Sequence, residues 1–188
     1  MARGNTKQLI TGAAVRVASK QGISGASMDL ISEEAGVAKG SLYYNFASKD
    51  ALFAEVIRGG YERLGAAIDA ARAEADPADA PRAVAAATLE TLRGNVDLAK
   101  LMASEVFRTD RPWFEAMEVA RGAVTVRFRD VLRDAQRAQG ASESDAEAIT
   151  ETAGASFFGA LAGACLDWLL FRPEQPVDQV LDQVLRAF

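Results

Sequence analysis

The chain has no histidine and one cysteine, Cys165, among its 188 residues. Without histidine there is no imidazole base, no Ser-His-Asp or Cys-His pair, and the commonest protein metal ligand is missing. One cysteine excludes an internal disulfide and a cysteine-cluster zinc site. The sequence therefore predicts no metal and no cofactor, and a reducing compartment, the cytoplasm. Lysine is scarce as well, and four of the five lie in the first third of the chain. One long apolar run is present, from Ala153 to Phe171, but it is rich in Ala and Gly, contains Asp167 and Ser156, and has no flanking basic bias. It is read as a helix covered on both sides, by its own domain and by a second copy of the chain, and not as a membrane span. No apolar leader follows Arg3 and Lys7.

What charge there is divides unevenly. The net charge of −5 argues against a wholly basic surface. Residues 1 to 60 nevertheless hold seven bases against five acids, or +2, and the rest holds 14 against 21, or −7. Such a sign change suits a small module that meets an anion, joined to an acidic body that does not.

The apolar period is helical throughout, so the expected fold class is all-α. Leu9, Ala13 and Val17 with Ile10, Ala14 and Ala18 form a first helix ending near Gly22. Ser27 caps a short second helix with Met28, Ile31 and Ala35 inward. A third runs from about Lys39 to Phe46. Ser48 caps a long fourth that ends near Asp76-Pro77 and contains Gly59-Gly60, either a bend or a close approach. Helices over Arg82 to Arg93, Val96 to Phe107 and Trp113 to Ala138 follow. Ser144 with Glu147 reads as a capping box opening the helix that contains the apolar run. A last helix presents Val177, Val180, Leu181, Val184 and Phe188.

Residues 27 to 46, SMDLISEEAGVAKGSLYYNF, place two short amphipathic helices about a tight turn at Ala35-Gly36-Val37. That is a helix-turn-helix, whose second helix lies in the major groove of duplex DNA. Lys39, Gly40, Ser41, Tyr43, Tyr44 and Asn45 remain outward, a face suited to phosphate and base-edge contacts. Glu33 and Glu34 resemble a carboxylate pair, but adjacent helical positions diverge and no base accompanies them. No enzyme is expected.

The same stretch resembles the DNA-binding domain of the tetracycline-repressor (TetR) family through Ser27, Ala35-Gly36-Val37, Lys39-Gly40, Leu42-Tyr43-Tyr44-Asn45-Phe46, Ser48-Lys49-Asp50 and Leu52. The resemblance implies a homodimeric repressor that binds a double-stranded DNA operator and leaves it when a small-molecule effector binds the C-terminal part. It implies a helix-turn-helix domain over 1–48 and a larger helical effector-binding and dimerisation domain over 49–188. It further implies Lys39, Gly40, Ser41 and Tyr43 at bases or the adjoining backbone, and Ser27, Tyr44, Asn45 and Lys49 at phosphates. Ala38 departs from the family's usual Ser or Thr, so its side-chain cap and contact are expected to be absent.

In the body, Met102, Glu105, Phe107, Trp113, Phe114, Met117, Phe128, Phe157 and Trp168 are the candidates for a mainly apolar effector pocket, with Glu105 or Asp167 as polar anchor. Ala155, Gly159, Ala162 and Gly163, with Val180 and Val184 of the last helix, are the candidate dimer interface. The reading from a different class is a helical carrier or sensor of an apolar ligand without DNA binding.

Overall fold

The computed structural model describes residues 3–105, 108 and 110–186. Among the described residues there are ten helices and no strand: α1 (Arg3–Gly25), α2 (Met28–Glu34), α3 (Lys39–Asn45), α4 (Lys49–Glu74), α5 (Ala80–Arg93), α6 (Val96–Glu105), α7 (Phe114–Ala138), α8 (Glu143–Glu147), α9 (Glu151–Phe171) and α10 (Val177–Leu185). The all-α expectation holds. The chain forms two compact units, Met1–Gly60 with Asp97–Ala120, and Tyr61–Val96 with Arg121–Phe188.

The first unit is built on α1 to α3. Helical geometry in α1 breaks at Gly22, whose φ of 73° is where a side chain would be strained. Ser27 caps α2 by accepting from the Leu30 N–H at 3.2 Å. Gly36 ends α2 with a φ of 64°. Its N–H donates to the Glu33 carbonyl and the Val37 N–H to the Ser32 carbonyl, so the orphan carbonyls of α2 are met within two residues. Ile10, Ala13 and Ala14 of α1, Ile31 of α2 and Leu42 of α3 have no exposed surface, and this shared core sets how α3 sits on α1 and α2. Ser48 caps α4 through the Ala51 N–H. Within the same unit a Cβ on Gly60 would lie 3.0 Å from the Met102 sulfur and 3.2 Å from Leu98 Cδ2. Gly60 therefore answers to the close passage of α4 over α6, and α4 is one continuous helix.

In the second unit α5 packs on α9, and α10 packs on both. A Cβ on Gly154 would stand 2.3 Å from the Thr125 carbonyl oxygen and 2.7 Å from the Arg129 nitrogen, so α7 and α9 cross backbone against backbone there. Phe128 stacks on Phe158 and meets Phe157 edge to face, with both centroids 5.6 Å away. The expected capping box at Ser144 and Glu147 does not open the long helix. Ser142 caps the short α8, accepting from the Asp145 N–H, and α9 starts separately after Thr150. The chain breaks between them because the α8 end is held from outside: the Arg133 guanidinium donates to the Glu147 and Ile149 carbonyls.

Candidate nucleic-acid interface

The exposed face of α3 follows from what the helix buries. Leu42 and, just beyond the helix, Phe46 turn inward, which leaves Lys39, Gly40, Ser41, Tyr43 and Tyr44 outward. Tyr44 is 71% exposed and Tyr43 47%. No atom outside its own helix backbone and chain neighbours lies within 4 Å of where a Cβ on Gly40 would be, so the backbone there is open to close approach. Ala38 takes the N-cap position in extended conformation with no side-chain hydrogen bond, as its substitution for Ser or Thr implied. Asn45 is half-buried and its amide donates to the Ser41 carbonyl at 2.8 Å. Ser27 is exposed at the start of α2, its hydroxyl oxygen already accepting from Leu30.

Charge on this face is internally paired. Lys39 Nζ lies 2.6 Å from Asp29, and that bond raises the lysine's pKa further above its ordinary range. Arg16 of α1 pairs with Glu34 at 2.6 Å, which holds the Glu34 carboxyl below the usual carboxylate range. Lys49 is half-buried, and its ammonium donates to the Ile23 and Ser24 carbonyls at 3.1 and 3.3 Å. It thus ties α4 to the end of α1, a structural task that the resemblance did not imply. One of its three N–H groups remains for a phosphate.

The structure divides the expected pocket residues. Met102, Glu105, Trp113, Phe114 and Met117 belong to the first unit, and Phe128, Phe157 and Trp168 to the second. Phe107 lies outside the described residues. Phe128 and Phe157 are wholly buried among aromatic rings, and Trp168 donates to the Gln175 carbonyl at 2.8 Å. Three buried side-chain atoms have no hydrogen-bond partner among the described residues: Glu105 Oε2, Arg111 Nε and Trp113 Nε1. Arg111 Nε is 3.7 Å from Glu105 Oε2, beyond hydrogen-bond reach, while its Nη2 donates to Ser24 Oγ at 3.1 Å. Nothing local in the sequence signals what a loop arginine such as Arg111 meets in the fold.

Gly159 and Gly163 of α9 are exposed, with nothing within 4 Å of an added Cβ, and Ala155 and Ala162 are half-buried. Val180 and Val184 are 6% and 8% exposed within the single chain, on a helix that packs against α5 and α9. They help line an open groove of about 190 Å³ with Asp167, Trp168 and Arg172. Among the described residues no group of three or more Cys, Asp or Glu side chains is placed to hold a metal.

Comparison with known proteins assigns this geometry. Residues 10–56 match the bacterial regulatory proteins of the tetR family. The HTH-type transcriptional regulator AcrR of Shigella flexneri is 41% identical over 51 residues, a stretch that covers 27% of this chain and 24% of that protein. The whole fold is similar to that of the fatty acid degradation regulator FadR from Bacillus halodurans, with a TM-score of 0.82, 18% identity, and coverage of 95% of this chain and 92% of that one. It is also similar to the transcriptional regulator FadR from Bacillus subtilis in complex with stearoyl-CoA, with a TM-score of 0.80, 18% identity and 95% of each chain covered. Residues 10–56 of this chain thus carry the sequence pattern of the bacterial regulatory proteins of the tetR family, and the chain spans about a quarter of the length of the curated relative that it matches.

Proposed function

We propose that this chain is a homodimeric transcriptional repressor whose residues 1–48 read an inverted-repeat operator and whose residues 49–188 bind a small, mainly apolar effector that releases the DNA. The observation that carries the reading is the outward face of α3, where Lys39, Gly40, Ser41, Tyr43 and Tyr44 are all exposed on a helix anchored by Leu42. Those side chains offer donors, acceptors and ring faces, and Gly40 lets the backbone come close. A second copy supplies the second reading head. The bare side of α9, with Gly159, Gly163, Leu170 and Phe171 exposed, supports a closed pair about a two-fold axis. Half-sites then fall about 34 to 36 Å apart or at a multiple of that spacing. The effector class draws support from the similar fold that holds stearoyl-CoA. Glu105 Oε2, Arg111 Nε and Trp113 Nε1, buried without a hydrogen-bond partner among the described residues, suit a polar group of such a ligand.

The test is selection of duplex fragments by the purified protein at moderate salt, followed by sizing of the complex. Recovery of an inverted repeat bound by an even number of subunits is expected. Weak binding without sequence preference overturns the repressor and leaves the carrier of an apolar ligand in its place. Stearoyl-CoA is then titrated against the operator complex; release is expected, and a complex indifferent to it overturns the acyl effector but not the operator.

A further inference from the structure

Within the first third of the chain, which is basic overall, the helix-turn-helix segment itself is not. From Ser27 to Asp50 there are two bases, Lys39 and Lys49, against four acids, Asp29, Glu33, Glu34 and Asp50, a net charge of −2. Both bases are engaged, Lys39 by Asp29 at 2.6 Å and Lys49 by the Ile23 and Ser24 carbonyls. Arg16 of α1 is engaged by Glu34 of α2. Sequence-independent binding to duplex DNA comes almost wholly from cations that replace condensed counterions at phosphates. A reading face with its ammonium groups occupied gains little of that binding.

Resting on the DNA-binding reading above, we propose that Asp29 is a specificity-determining residue, which holds Lys39 as a hydrogen-bond donor for base edges and denies it to phosphate. An ammonium has three donors, and the Asp29 contact takes one and fixes the direction of the rest. On an operator, a second N–H reaches a base-edge acceptor in the major groove while the first stays on Asp29, so the pair survives. On random DNA the offered partner is phosphate, and a carboxylate 2.6 Å from the ammonium repels it. The pair is exposed, with side chains 58% and 66% accessible, so it holds Lys39 without adding much to folding. Asp29 thus acts against the wrong partner more than for the right one.

The test is Asp29→Asn, with affinity read by fluorescence anisotropy on the selected operator and on a random duplex across a salt series. Freed to neutralise one phosphate, Lys39 raises affinity for random DNA about tenfold near 0.1 M salt and steepens its salt slope by about 0.9. Operator affinity changes less than threefold, so the specificity ratio falls. In a Lys39→Met background the same substitution has no effect. Asp29→Ser repeats the measurement if circular dichroism shows the Asn variant poorly folded. Equal gains on both duplexes, no gain on either, or a gain that persists with Met at position 39 each overturn the role of Asp29. Wild-type protein without sequence preference overturns the DNA-binding reading itself, which the variants do not touch.

Discussion

Helices α3 and α9 each pack one side and bare the other, and their bare sides are opposite in chemistry. α3 buries Leu42 and exposes an ammonium, a hydroxyl, two phenols and a glycine backbone, groups that water satisfies until a partner replaces it. α9 buries Gly154, Phe157, Leu161, Cys165 and Trp168, and exposes Leu170 at 47% and Phe171 at 75% beside two glycines. Apolar surface left in water costs about 25 cal/mol per Å². A bare polar face is stable alone and available to a ligand of its own kind, whereas a bare apolar face, on a helix with an 18-residue stretch of mean hydropathy 1.5, gains by being covered. The difference is the ground on which the proposed function gives α3 to reversible recognition and α9 to assembly.

The comparison breaks first where either helix loses its anchor. Leu42→Ala removes the wholly buried side chain that seats α3, and a loss of about 2–5 kcal/mol is expected in urea unfolding. Gly154→Ala forces a methyl group into the Thr125 carbonyl, and about 1–3 kcal/mol is lost unless α7 and α9 part. The same change on the bare sides has the opposite sign. Gly40→Ala and Gly159→Ala meet no atom, and each leaves stability unchanged or raised by up to about 1 kcal/mol. Gly40→Ala then weakens operator binding, and Gly159→Arg yields monomers in sedimentation; a dimeric Gly159→Arg protein would remove α9 from the interface.

The smallest effect is chemical. Burial and then the nearby Glu90 push the Cys165 thiol up to about 11, so at pH 8 almost none is thiolate. Iodoacetamide should leave the folded protein unlabelled and modify Cys165 only as urea unfolds it. Rapid labelling of folded protein would show that the buried side of α9 opens.

Legibility followed sequence separation. The α2 cap at Ser27, the turn at Gly36, the Ser48 cap and the missing cap at Ala38 are settled by neighbours within a few residues, and all were readable in order. The Ser144 capping box fails because Ser142 takes the cap of a short α8, and Arg133, 14 and 16 residues before Glu147 and Ile149, holds their carbonyls ahead of α9. Val180 and Val184 are buried within the single chain. Their helical spacing named an apolar face correctly, but spacing alone does not say whether that face meets its own chain or another.

By itself the sequence determined the all-helical class, the helix-turn-helix with Leu42 inward and Lys39, Gly40, Ser41, Tyr43 and Tyr44 outward, and the exclusion of histidine chemistry, since each rests on composition or on period and capping over one or two turns. Only the tertiary structure decided that Gly60 and Gly154 are close-packing sites, that Lys49 is tied to α1, that Lys39 is paired with Asp29, and that the expected pocket residues divide between two units. Those are contacts between residues distant in the chain, and they exist only once packing has brought the helices together.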